Sequence, residues 1–233
     1  LRKMKEEIAW IDTYLFDKKP TENEAFKEDS PLAEIFKLEE AKQQNGLYGV
    51  LNKGILIPET VQVKEDSISL GRFEVTNAQF KTFKEAFSFD AGKDNYPAVV
   101  SKTEAEDYVT WLSAQTGKTY RLPNAKEAEK LQQKAAESAK GQNNLNTWAG
   151  YDLTADDAAM LSQKVNSLTY SLLKPVGSNK SVKVGEAILY DLGGNVAEYS
   201  NTGTYDYSAY DFADPYDQKP VKSEHVGFRV VKE

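Results

Sequence analysis

Apolar residues recur along this chain with two different periods, and the change from one to the other divides it. Ile8, Ile11, Tyr14 and Leu15, flanked by Met4 and Trp10, fall at helical spacing and predict an amphipathic helix. Lys18-Lys19-Pro20 ends it, because proline cannot continue a helix. A polar stretch from Thr21 to Ser30 follows, and Leu32, Ile35, Phe36 and Leu38 predict a second short helix opening at Pro31. From Gly54 the texture changes. Ile55-Leu56-Ile57, the alternation of Val61 and Val63, and then Ile68 and Leu70 predict short strands around a turn at Lys64-Glu65-Asp66.

Helices then return with recognisable start signals. Thr76 or Asn77 caps a helix that runs to about Phe87. Thr103-Glu104-Ala105-Glu106 reads as a capping box with Thr103 at the N-cap. Ala105, Tyr108, Val109 and Leu112 give that helix one apolar face, which stops at Gly117. Asn124 with Glu127 repeats the device and opens a helix to about Ala139. Residues 141–150 read as loop, and Thr154 with Asp157 starts a shorter helix. From Ser178 the pattern is strands, glycine turns and a long aromatic-acidic loop. This alternation predicts an α+β domain over residues 54–233, preceded by a helical appendage or linker over residues 1–45.

Composition works by exclusion. The 233 residues carry 36 acidic and 29 basic side chains, a net charge of −7, which argues against a nucleic-acid partner because phosphate contact needs a basic face. No apolar run approaches the roughly 20 residues of a membrane span. There is no cysteine, which removes disulfides, thiolate metal sites and thiol nucleophiles together. The chain opens on Leu1, so it is expected to be a processed piece of a larger protein, with any targeting segment upstream. The absence of cysteine leaves the compartment open, with a periplasmic or extracellular setting among those it allows.

Four segments, in order, resemble the formylglycine-generating, sulfatase-modifying-factor family. They are Phe73-Glu74-Val75-Thr76-Asn77, then Tyr96-Pro97-Ala98-Val99-Val100-Ser101 with its following helix, then Arg121-Leu122-Pro123-Asn124-Ala125-Lys126-Glu127, then Leu189-Tyr190-Asp191-Leu192-Gly193-Gly194-Asn195-Val196-Ala197-Glu198-Tyr199. The chain closes on Gly227-Phe228-Arg229-Val230, as members of that family commonly do. The resemblance covers about residues 54–233 and implies a C-type-lectin-like fold.

It also implies chemistry, part of which this sequence lacks. Active members use a copper-binding cysteine pair near the C-terminus. Val230 stands where one cysteine is expected, and the segment Asn201 to Glu224 replaces the family's RGGSW region. No copper cofactor is therefore expected. Iron-binding relatives need more than one histidine, whereas this chain has His225 alone, read as a packing or surface residue. The expected function is a non-catalytic binding or accessory domain with a protein or glycan ligand. The alternatives are a cysteine-independent enzyme of the same family, or a structural cap on an upstream serine hydrolase. The last rests on Met4 to Phe16, which loosely resembles the final helix of prolyl-oligopeptidase-type enzymes.

Two candidate sites follow. In the family, the fourth segment binds calcium, which nominates the carbonyls of Gly193, Gly194 and Val196 and the side chain of Glu198. Paired glycines free the backbone to aim carbonyls inward, and a carboxylate can complete an oxygen cage. The other reading of Glu198 is a satisfied buried glutamate in a turn. The second candidate is the loop in which Tyr205, Tyr207, Tyr210, Phe212 and Tyr216 alternate with Asp206, Asp211, Asp214 and Asp217. Tyrosine-rich chain suits a recognition surface; the same loop could instead fold back over the core. Arg121 could pair a carboxylate or support a turn, Asn77 reads as a cap or turn anchor, and Trp111 as core.

Overall fold

The computed structural model describes residues 30–42, 44–64, 67–214 and 225–233. The helix expected over Met4 to Phe16, its Lys18-Lys19-Pro20 end, the Glu65-Asp66 turn, Tyr216 and Asp217 lie outside the described residues. The chain divides into two units, Leu1–Ala41 and Lys42–Glu233. In the first, α1 (Pro31–Glu40) opens on Pro31 and is capped by Ser30, whose hydroxyl accepts from the Ala33 N–H.

The second unit is mixed α and β and begins earlier than the strand pattern suggests. Tyr48 is buried, its N–H bonds Asn95 Oδ1 at 3.0 Å, and its carbonyl takes the Gln79 amide at 2.9 Å. After it, β1 (Val50–Asn52) and β2 (Ile55–Ile57) form a hairpin, and β3 (Thr60–Val63) pairs antiparallel with β4 (Ile68–Gly71). The helices α2 (Asn77–Phe83), α3 (Lys102–Thr116), α4 (Ala125–Ser138), α5 (Leu145–Ala149) and α6 (Ala155–Val165) follow, with β5 (Tyr120–Arg121) between α3 and α4. The C-terminal part holds β6 (Val182–Val184), β7 (Ala187–Leu189), β8 (Ala197–Tyr199), β9 (Thr204–Tyr205), β10 (Val226–Gly227) and β11 (Val231–Lys232).

Among the described residues the largest sheet has the order β3-β4-β11-β5, all antiparallel, so the chain's last strand closes between two early ones. A second sheet, β10-β8-β9, pairs β10 parallel to β8. The segment from β10 to β11 separates two cores. Phe228 and Val230 face Phe80, Tyr108 and Leu112, whereas Val231 faces Leu131, Leu189 and Leu192. Adjacent residues pointing opposite ways is what extended backbone requires.

The helix starts obey capping chemistry, with two corrections. Thr76 with Gln79 and Asn124 with Glu127 form complete capping boxes, and Ala105, Tyr108, Val109 and Leu112 are buried up to the left-handed stop at Gly117. The cap of α3 is Ser101 rather than Thr103: Ser101 Oγ takes the Glu104 N–H while Glu104 reaches back to Ser101. Both spacings satisfy the box rule, and the chain uses the earlier one. Residues 141–150 are not all loop, since Asn144 caps α5 and Gly150 ends it. α2 stops at Phe83, where Lys84 turns extended, rather than running to Phe87.

Candidate functional site

The family-like segments meet at a buried polar centre organised by Arg229. Its side chain is fully buried, and every guanidinium N–H has an acceptor. Nε and Nη2 donate to the two carboxylate oxygens of Glu198 at 3.2 and 2.8 Å. Nη1 donates to the carbonyls of Gly71 and Arg72 at 2.8 and 3.0 Å, and Nη2 to that of Tyr190 at 2.9 Å. Tyr205 donates its hydroxyl to the same Glu198. The fork therefore ties the end of β4, the β7–β8 connection and the last strands of the chain to one another.

A second buried carboxylate, Glu74, braces the glycine turn before β8. Its Oε2 accepts from Asn195 Nδ2 at 2.7 Å and its Oε1 from the Val196 N–H at 3.1 Å. Asn195 sits in the left-handed region at φ 76°, and its Oδ1 accepts from Asn143 Nδ2 and the Lys174 N–H. Asp191, also left-handed at φ 62°, accepts from the Gly177 N–H and Asn179; Asp206, at φ 67°, accepts from the N–H groups of Gly193 and Tyr207. Hydrogen-bonding needs inside the turn hold these three backbones where side chains other than glycine seldom sit.

Crowding acid groups away from water raises their affinity for protons. Burial, then the neighbouring Asp191 and Glu198 charges, pushes Glu74 well above the usual carboxylate range. Burial raises Asp191 to about 6 against the hydrogen bonds that favour its charge. Burial and the Glu198 charge likewise raise Asp206.

The nominated calcium ligands are buried here, and two of them, the Glu198 side chain and the Gly193 carbonyl, already carry hydrogen-bond donors of the protein. Glu198 has a guanidinium and a phenol on its oxygens, and the Gly193 carbonyl accepts from Asn144 Nδ2 at 2.9 Å. A calcium ion wants about six to eight oxygens at roughly 2.3–2.6 Å, and here a cation of the protein already occupies the carboxylate. Gly194 packs against backbone instead: a Cβ on it would meet Asn143 O at 2.5 Å. Among the described residues no group of three or more His, Asp or Glu side chains is arranged to hold a metal. The satisfied buried glutamate is the reading the geometry supports.

The tyrosine loop divides. Tyr205 and Tyr207 are 2% and 0% exposed and belong to the core with Leu131 and Leu189, so this part folds back over the interior. Phe212 is partly buried against Leu145 and Leu153. Tyr210 lines an accessible cleft, where its ring stacks on His225 at 3.8 Å and 14°. Tyr210 Oη accepts from the Leu172 N–H at 2.9 Å, which fixes the ring. That cleft has a volume of about 830 Å³, and its walls include Asp90, Lys93, Tyr96, Tyr170, Tyr210 and His225. Tyr170 is 64% exposed. Lys93 bonds Asp90 at 2.7 Å, which holds that carboxyl below its ordinary range, and lies 5.8 Å above the Tyr96 ring.

Sequence reasoning missed Glu74, Asp191, Asn195 and Arg229 as the polar centre, although all four stand in the quoted segments. It had no means to find the cleft, whose walls come from stretches far apart in the chain. Arg121 proves to pair a carboxylate, forking onto Glu127 at 2.7 and 2.9 Å and reaching Glu233 at 2.7 Å. Asn77 anchors a turn through Lys93 O, and Trp111 is partly buried against the core.

No protein-family model matches the chain, and no curated protein matches it in sequence. Among solved structures, the chain is similar to PvdO from Pseudomonas aeruginosa, at 20% identity and TM-score 0.46 over 71% of this chain and 80% of that one. It is similar to CarF at 17% identity and TM-score 0.42, over 79% of this chain and 94% of that one. Among the described residues no helix is long and apolar enough to cross a membrane.

Proposed function

We propose that the second unit is a binding or accessory domain of the sulfatase-modifying-factor type, with the C-type-lectin-like arrangement that type implies, and that it binds its ligand in the cleft at Tyr210 and His225. One observation carries the reading. Glu74, Asp191, Asn195, Glu198 and Arg229 are buried and hydrogen-bonded within the protein, while Tyr96, Tyr170, Tyr210 and His225 line one accessible cleft with Asp90 and Lys93. Glu74 to Asn195 and Arg229 to Glu198 are contacts between distant segments, so those residues serve architecture. The sequence has no thiol for the family's cysteine oxidation, and Val230, at the expected cysteine position, is fully buried.

The test needs no prior ligand. Small aromatic and polar fragments, titrated while protein amide resonances are followed by NMR, should shift the amides of Tyr96, Tyr170, Tyr210 and His225 ahead of the rest. Incubation with a sulfatase-motif peptide, copper and oxygen should give no aldehyde above a blank by mass spectrometry. Fragments gathering elsewhere, or peptide aldehyde forming with the protein, would overturn the proposal.

A further inference from the structure

We infer that the cleft takes a neutral oligosaccharide; this rests on the cleft being the binding site. Charge is the first discriminator. Of the described lining residues only Asp90 and Lys93 are formally charged, and they neutralise each other at 2.7 Å. An anionic ligand would find one already paired ammonium in a chain of net charge −7, and a cationic ligand one already paired carboxylate. Either would give up its hydration without a free counter-charge to replace it.

The second discriminator is the kind of surface. Tyr96, Tyr170, Tyr210 and His225 line one space, and the Tyr210 and His225 rings lie nearly parallel as a fixed pair. Flat rings suit ligands with one apolar, C–H-bearing face, which a pyranose ring has and a phosphate or an amino-acid zwitterion does not. Around the rings stand short hydrogen-bonding side chains, Asn166, Thr169 and Ser171. The ion pair adds a directional element. A carboxylate acceptor and an ammonium donor side by side match two neighbouring hydroxyls of a sugar, one donating to Asp90 and the other accepting from Lys93. Charge-assisted hydrogen bonds are the stronger kind. The volume of about 830 Å³ falls within the range of small-ligand pockets, about 300–1,000 Å³.

The experiment titrates the whole chain with neutral hexasaccharides (gluco-, manno-, xylo- and N-acetylglucosamine series), with polygalacturonate, and with a proline-rich peptide, following amide shifts and calorimetry. At least one neutral hexasaccharide should bind in the cleft. Tyr170→Ala and Asp90→Asn, both exposed and so compatible with folding, should each weaken it about tenfold or more, with melting temperature unchanged. Unweakened binding by both variants would overturn the assignment. Preference for polygalacturonate, or for the peptide, would overturn it too, while leaving the cleft as the binding site. If neither saccharides nor fragments move the cleft resonances, both the assignment and the proposed binding site fall.

Discussion

Arg229 and Glu198, thirty-one residues apart in the chain, meet in a two-point fork with neither side chain exposed to solvent. Such a pair is not simply a gain in stability, since desolvating both ions costs much of what their attraction returns. Its effect is conditional: removing one partner leaves the other charged and buried. Glu198→Gln should therefore cost about 3–5 kcal/mol, lowering the melting temperature by on the order of 10 °C in a chain of this size. Arg229→Lys should be nearly as damaging, because an ammonium cannot span Glu198 and the carbonyls of Gly71, Arg72 and Tyr190 from one plane. Thermal unfolding by circular dichroism decides it, and a loss below about 1 kcal/mol for Glu198→Gln would contradict the buried pairing.

The cap of α3 offers a sharper local test, because two residues compete for the same role. Ser101 Oγ takes the Glu104 N–H in the structure, so Ser101→Ala should cost about 1 kcal/mol. Thr103→Ala, within the first turn, should stay within about 0.5 kcal/mol of neutral. The reverse ranking in denaturant unfolding would restore Thr103 as the cap.

That contrast shows what was legible in the sequence. Caps, stops and apolar faces are local, so Asn124 with Glu127, Gly117, and the Ala105–Leu112 face could be read from spacing alone. An ambiguity of two residues between Ser101 and Thr103 could not, since both satisfy the same rule. The tyrosine loop stayed open between two readings for a physical reason: alternating Tyr and Asp suits a solvated edge as well as a cover over the core. Here the acidic partner Asp206 turns inward to bond the Gly193 and Tyr207 N–H groups, and Tyr205 reaches Glu198. The cleft was beyond reading, because Asp90, Tyr170, Tyr210 and His225 are brought together only by tertiary packing.

Calcium is the next test. Binding to the folded state alone would raise the melting temperature by mass action, and a chelator would lower it. With Arg229 on Glu198 and Asn144 on Gly193 O, no such response is expected. Melting curves in millimolar calcium and in excess EDTA should coincide within measurement error. A reproducible calcium-dependent rise that Glu198→Gln abolishes would mean that the fork opens to admit the ion.

Gly194 should tolerate no side chain. A methyl there would meet backbone atoms of Asn143 at 2.5 to 2.7 Å, and backbone cannot swing aside as a side-chain end can. Gly194→Ala should therefore cost about 1–3 kcal/mol or more. Gly203→Ala, with open space around the added carbon, should change stability by less than about 0.5 kcal/mol. Paired denaturant melts read the difference, and equal stability of the two variants would refute the close approach.

The buried acids predict an unusual dependence of stability on pH. Burial raises Asp191 to about 6, whereas an unfolded aspartate titrates near about 3.9. Between those two values the folded chain holds more protons than the unfolded one, so stability falls as pH rises through the window. The difference between the folded and unfolded values corresponds to on the order of 2–3 kcal/mol, all of it lost above the folded value. Glu74 and Asp206, raised for the same reason of burial, extend the loss upward. Glu104 has the opposite sign, its pKa lowered to about 2 by the Lys84 and Ser101 hydrogen bonds, so its contribution fades only as pH falls below the ordinary glutamate value. The melting temperature should accordingly rise from pH 8 to pH 5. Relief of general repulsion would produce a rise too, because the net charge of −7 shrinks in the same direction. Asp191→Asn separates the two causes: it leaves the general charge nearly intact but should flatten the slope between about pH 4 and 6. A wild-type melting temperature that is flat or falling from pH 8 to 5, or a variant that keeps the full slope, would show that these carboxylates remain ionised in the core.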